Sequence, residues 1–335
     1  GDLQKALVTF QRTLVLATTP SDTAAAALWV GKTYAALSDQ ANAQTYFAQA
    51  AAADPTGYYS IRAQQLLDGQ DPFPSAVRPD LTVSLDTEML SAADWLSIRL
   101  NLPAGTNLTN FDEISSDPLF KRGDLFLKLG FVDQARSEFD SLRDEYQTDA
   151  AKSFELLHYL ENAGLYRNAV LTSRQVLDIV GMSQLETLKA PDYFNHVRFA
   201  VFYRDAIVSA ANNEGLDPLL IFSLVRQESL FEGSIVSSAG AVGLMQILPA
   251  VGAEIASDYG WPPNYTTNEL YNPSVNVRLG THYLKKWLDY FNGNAIAAFA
   301  AYNGGIGNTI EWQQIAGNDP DLLLEVIRFD ETRNY

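Results

Sequence analysis

The sequence predicts an all-α, mainly helical chain: an α-solenoid of paired helices leading into a compact helical domain with shaped loops. Three observations predict it. The first half is dominated by Ala, Leu, Gln and Glu, with apolar residues at helical spacing. Small and large residues recur there in a fixed order within successive helix pairs. From His196 onward Gly, Asn and aromatic residues become common, as in a domain whose loops allow close backbone approach.

The segments Thr23 to Leu37 and Asn42 to Ala53 read as helices, separated by the polar link Ser38-Asp39-Gln40. Within the pair fall Val30, Gly31, Tyr34, Ala43, Phe47, Ala50 and Pro55. This is the order of a tetratricopeptide-type repeat, whose small residues let paired helices approach while the large ones fill the space between. A second unit echoes it with Leu119, Gly123, Phe126, Gly130, Ala135, Phe139 and Leu142, and a weaker third lies around Leu157, Leu160, Gly164 and Ala169. Because the register between units is irregular, the expectation is a superhelix of degenerate repeats; an ordinary irregular helical domain is the alternative. Pro72, Pro74 and Pro79 break the pattern between Asp71 and Thr87, which reads as a crossing loop. Lys189-Ala190-Pro191-Asp192 breaks it again between Gly181 and Tyr193. The main boundary is placed there, giving a helical domain over 1–190 and a second domain over 191–335.

The bulk properties exclude several functions. At 335 residues the chain accommodates two or three domains, and its 47% hydrophobic and 19% charged content is that of a globular protein. No stretch approaches the roughly 18 to 20 uninterrupted apolar residues needed to cross a bilayer. Absence of cysteine excludes disulfides, thiol catalysis and cysteine-ligated metals. A formal charge of −17 argues against nucleic acid and gives no steering toward anionic membranes. His158, His196 and His282 form no pair at ligand spacing, so neither a metal nor another cofactor is expected. The opening Gly1-Asp2-Leu3-Gln4 lacks the basic start and apolar run of a secretion signal. That fits either a cytoplasmic protein or a mature chain whose signal has been removed.

The second domain carries the chemistry. Asp217-Pro218 is a helix start, an acidic cap followed by proline at the first helical position. The helix it opens puts Ile221, Leu224 and Val225 on one face, and Glu228 is the next position on that face. Either the helix ends there and Glu228 is wet, or Glu228 lines a cleft wall. In the second case desolvation would raise its pKa and let it donate a proton near neutrality. Ser237 to Pro249 then alternates small residues with a short apolar run interrupted by Gln246, which needs a partner if buried: a polar sugar or the neighbouring backbone. Ala298 to Tyr302 runs into the tight turn Asn303-Gly304-Gly305, which would hold Tyr302 and Asn303 at a cleft edge.

Arg226-Gln227-Glu228-Ser229, then Ser237 to Pro249 with its Gly243-Leu244-Met245-Gln246 core, then Ala301-Tyr302-Asn303-Gly304-Gly305, and finally Glu331-Thr332 with Tyr335, resemble the successive motifs of the soluble lytic transglycosylase family. Four motifs in order across about 110 residues make a specific match. Members of the larger soluble type place an α-superhelical region before a lysozyme-like catalytic domain, and the helical first half is similar to that. The resemblance implies that Glu228 is the single catalytic acid. It implies substrate contacts for Ser237, Gln246, Tyr302 and Asn303. Glu331, with Gly243 and Met245, would support the active-site shell. The substrate implied is peptidoglycan, cut without water between N-acetylmuramic acid and N-acetylglucosamine to leave a 1,6-anhydro ring, in the periplasm or another extracytoplasmic location. Wall-protein partners of the helical region are a further expectation.

Two departures stand out. The family's aromatic residue, polar residue and proline after Glu-Ser become Phe231-Glu232-Gly233 here. The chain ends at Tyr335, where family members continue with a short helix, so a trimmed terminus is expected. Glu232, Glu254, Asp258 and Glu269 read as solvated surface, although any could serve as the second carboxylate of a true lysozyme. That hydrolase is the first alternative, and a non-catalytic wall-binding scaffold is the second.

Overall fold

A computed structural model describes residues 2–70, 72 and 80–335. The chain divides into two compact units, Gly1–Ser75 and Ala76–Tyr335. Among its described residues the first holds four helices: α1 (Leu3–Leu16), α2 (Pro20–Ala36), α3 (Gln40–Ala53) and α4 (Tyr58–Leu67). The polar link expected between the first repeat helices supplies Asp39, whose side chain caps α3 by accepting from Asn42 N at 3.1 Å. Ala27, Leu28, Ala43, Phe47, Ala50 and Ala63 form the core. A Cβ on Gly31 would lie 2.6 Å from the Phe47 ring, so the small residue is what lets α2 and α3 approach.

The second unit begins with α5 (Leu85–Arg99) and continues as two helical hairpins, α6 (Pro118–Lys128) with α7 (Val132–Glu145) and α8 (Ala150–Asn162) with α9 (Tyr166–Ile179). Gly123 on α6 repeats the first unit's device, since a Cβ there would lie 2.8 Å from the Phe139 ring of α7. Gly31 with Phe47, and Gly123 with Phe139, stand at the same spacing in the sequence, the physical content of the repeat. Of the loop expected between Asp71 and Thr87, residues 71 and 73–79, Pro74 and Pro79 among them, lie outside the described residues; residues 80–84 are irregular and α5 follows.

The break between Gly181 and Tyr193 contains a short helix, α10 (Gln184–Thr187), with a capping box between Ser183 and Glu186. It leads to α11 (Asp192–Arg198). Core packing runs through this region without interruption: Phe194 of α11 meets Trp95 of α5 at 5.7 Å and Phe154 of α8 at 5.8 Å between ring centroids.

The remainder is α12 (Arg204–Glu214), α13 (Pro218–Ser229), α14 (Pro249–Tyr259), a 3₁₀ turn at Thr267–Tyr271, α15 (Pro273–Tyr290), α16 (Ala295–Gly304), α17 (Ile306–Ala316), α18 (Pro320–Val326) and α19 (Asp330–Asn334). α15 is central, with α12, α14 and α16 packed on it. α16 buries Ala295, Ala297, Ala298, Ala300 and Ala301, and these small side chains let neighbours close on it from several sides. Among the described residues, extended pairing is confined to two isolated bridges, Val236 with Val242 and Val242 with Ile247. None of the described helices is long and apolar enough to cross a membrane.

Candidate active site

α13 opens as its sequence requires: the Asp217 carboxylate accepts from Leu219 N at 2.9 Å, with Pro218 in the first turn. Ile221, Leu224 and Val225 are buried, which draws the continuation of their face, Glu228, into partial burial. The helix ends at Leu230 in the left-handed conformation. Desolvation raises the Glu228 pKa from 4.5 to about 7, and the charge of Glu331 pushes the same way. Opposing them, the Tyr335 hydroxyl donates to Glu228 Oε1. Tyr335 stays neutral and a donor, because burial and the nearby Glu228 charge hold its pKa well above the usual phenol range.

Ser229 joins the helix to the second motif by donating its hydroxyl to Leu244 O at 2.9 Å. That motif is a folded loop. Val242 and Ile247 exchange backbone bonds at 3.0 and 3.1 Å, and Gly243 N donates to Ile235 O at 2.9 Å. Gly243 has φ +79°, and a Cβ on it would lie 2.4 Å from Asn276 Nδ2, so no side chain fits. Asn276 of α15, fully buried, donates to Val242 O and Leu270 O and accepts from Met245 N, all at 2.8–2.9 Å. Met245 is itself fully buried and lies against Gly280, where a Cβ would come within 2.6 Å of its sulfur. Gly243 and Met245 thus pack the loop closely against α15.

The four expected substrate contacts are placed differently from one another. Ser237 Oγ accepts from Ala241 N at 3.0 Å, and its hydroxyl proton is given to no other described residue. The Gln246 side-chain nitrogen is turned inward, donating to Gly243 O at 2.8 Å and Ile235 O at 3.3 Å. Tyr302 donates to Met245 O at 2.8 Å; burial raises its pKa well above the phenol range, and the nearby charge of Glu228 adds to the rise. Asn303 Oδ1 accepts from Thr332 Oγ1 at 2.6 Å and its Nδ2 reaches Glu331 at 3.4 Å, so its amide holds α19. Gly304 makes room for that docking, since a Cβ there would lie 2.9 Å from Thr332 Oγ1.

Two residues of the site were not among those singled out. Tyr335 enters the sequence reading only as part of a motif, and Asn276 gives no signal on a helix where asparagine reads as surface. Among the four extra carboxylates, Glu232 is not solvated: it is buried and ion-paired with Arg136 of α7. Glu254 and Asp258 are surface partners of Lys286 at 3.0 and 3.6 Å. Glu269 is partly buried beside Tyr265. The described residues contain no group of three His, Cys, Asp or Glu able to hold a metal.

A single partly buried carboxyl with a pKa near neutrality, gripped by one phenol and set beside a glycine-rich loop, is built to give and take back a proton. The family profile of the transglycosylase SLT domain matches residues 205–324, which hold Glu228, the loop and Tyr302. The chain carries a transglycosylase SLT domain. The SLT domain is similar in sequence to the soluble lytic murein transglycosylase of Salmonella typhimurium, 33% identical over 140 residues, 41% of this chain and 22% of that one. A putative soluble lytic murein transglycosylase of Haemophilus influenzae is 28% identical over 239 residues, 71% of this chain and 38% of the other. The match thus spans about a fifth to two fifths of these relatives' length. In fold, the 70 kDa soluble lytic transglycosylase of Escherichia coli aligns over 93% of this chain and 44% of its own, with a TM-score of 0.66 at 21% identity. The all-α fold, with helical hairpins preceding the SLT domain, is accordingly shared with that transglycosylase.

Proposed function

We propose that the chain is a peptidoglycan lytic transglycosylase, cleaving the β-1,4 bond between N-acetylmuramic acid and N-acetylglucosamine to leave 1,6-anhydromuramoyl ends. One observation carries the reading: within an SLT domain, Glu228 alone combines partial burial, a pKa near 7 and a phenol fixing one of its oxygens. With Oε1 accepting from Tyr335, the proton of the neutral acid sits on Oε2 and is the one given to the glycosidic oxygen. The substrate's own N-acetyl carbonyl stabilises the oxocarbenium-like centre. Ser237, with its hydroxyl proton uncommitted, is the donor assigned to that acetyl group. The Glu228 carboxylate then removes the proton of the muramoyl C6 hydroxyl, which attacks C1 and closes the ring, returning the acid to its first state.

This cycle uses one carboxyl, and the nearby candidates for a second are otherwise engaged: Glu232 with Arg136 and Glu331 with Asn303. We assign the chemistry to 191–335 and the guiding of glycan strands to the helices of 1–190. The location that follows from the substrate is extracytoplasmic. The test is mass spectrometry of sugars released from purified peptidoglycan, with Glu228→Gln alongside. Anhydromuramoyl products are expected from the wild type, falling on the order of 10³-fold in the variant. Reducing-end products heavier by one water would instead make the protein a hydrolase.

A further inference from the structure

We propose that Arg136, on α7 of the helical region, is a positioning residue for the active site, holding the loop that follows the catalytic helix. The proposal rests on the transglycosylase reading. Arg136 Nη2 donates to Glu232 Oε1 and, at 3.0 Å, to Ser234 Oγ, while Nη1 reaches Asp133 Oδ1 at 2.6 Å. The Glu232 side chain is 6% exposed and that of Arg136 14%, so the pair is withdrawn from water. A carboxylate in such a place persists only with a partner, and removing one member leaves an uncompensated charge.

What the pair holds is not a relaxed segment. Leu230 and Phe231 both have positive φ, +49° and +64°, which is costly for side chains with a Cβ and persists only where the surroundings impose it. Phe231 is buried against Phe202, centroids 5.6 Å apart, and Phe202 stacks at 3.8 Å on Tyr166 of α9. α7 and α9 therefore grip the segment at adjacent residues, α7 through the ion pair and α9 through the aromatic stack. Directly beyond Ser234, Ile235 O accepts from Gly243 N and from the Gln246 amide, and Ser237 follows. A shift at 232–234 is thus passed to the second motif and to Ser237. Glu232-Gly233 is also where this sequence departs from the family's run, so the departure and the tether are one feature.

The test compares the full chain with Arg136→Ala, Arg136→Lys, Glu232→Gln and the double variant Arg136→Ala/Glu232→Gln. Each is measured for kcat and KM on purified glycan strands and for amide hydrogen exchange over 235–243, at a temperature where circular dichroism shows it folded. Arg136→Ala is expected to raise KM about tenfold and to speed exchange at Ala241 and Gly243 by a similar factor. Arg136→Lys should recover most of both, and Glu232→Gln in the Ala background should recover part by removing the stranded charge. Unchanged KM and exchange, with activity falling only in proportion to the folded fraction, would overturn the proposal. If Arg136→Ala does not fold, the Lys and Gln single variants decide by the same two readouts. Failure of the wild type to form anhydro products would sink the transglycosylase reading alone, since the exchange measurement still decides the tether.

Discussion

The Tyr335 hydroxyl donates to Glu228 Oε1 across 107 residues of sequence, so the acid's orientation is set by the segment just after α19 as well as by its own helix. The bond favours the ionised carboxylate, whereas burial and the charge of Glu331 favour the neutral acid. Glu228 is balanced between the two forms that a group acting first as acid and then as base requires.

Tyr335→Phe removes the one interaction that lowers the Glu228 pKa. The alkaline limb of kcat/KM should therefore move up by about one pH unit, the worth of a hydrogen bond to a charged group. At the optimum, kcat should fall about tenfold as the carboxylate loses its fixed rotamer and its stabilised base form. A pH–rate profile of the variant checks both effects, and an unmoved limb would remove Tyr335 from the account.

In the wild type, Glu228 must be protonated to start the reaction, and its pKa lies near 7. kcat/KM should decline as pH rises past about 7, about tenfold per unit once well above it. Stability carries the same sign. The folded pKa exceeds the unfolded value of 4.5, so this contribution is fully present below about 4.5 and is lost as pH rises through about 7. Glu228→Gln does not ionise. Its melting temperature relative to wild type should therefore be higher at pH 8 than at pH 5, and thermal melts at the two values check it.

Much of this was legible in the sequence because it is local. The cap at Asp217, the apolar stripe and Glu228 lie within one helix, and the small-and-large order that pairs Gly31 with Phe47 lies within one hairpin. The rest depends on residues that only the fold brings together. Tyr335 lies 107 residues from Glu228, and Arg136 lies 96 from Glu232; a solvated and a buried glutamate look alike in sequence. The resemblance points Gln246 and Asn303 toward the substrate, and the bonds their amides make within the chain are not legible in the sequence. Their amides face Gly243, Ile235 and Thr332 because each loop carries backbone or hydroxyl groups that need a partner.

Asn303 holds α19, and α19 delivers Tyr335. Asn303→Ala should therefore reproduce the Tyr335→Phe phenotype, with kcat about tenfold lower and the alkaline limb moved upward. The double variant should be little worse than either single one, because both changes remove the same contact to Glu228. Additive losses in such a cycle would mean that Asn303 acts on the substrate directly.

Asn276 offers the last test, one of stability. Its fully buried amide makes three bonds to backbone, to Val242 O, Leu270 O and Met245 N. Asn276→Ala strands Met245 N and Leu270 O without water, leaves Val242 O only its bond from Ile247 N, and should cost about 2–4 kcal/mol, read from denaturant unfolding. Asn276→Asp keeps the acceptor for Met245 N but turns two donors into a buried negative charge facing two carbonyls. It should be at least as damaging at pH 7, and should recover toward wild type as the pH is lowered and the carboxyl takes up a proton. If instead Asp were tolerated at pH 7, the two carbonyl bonds would not be what fastens the second motif to α15.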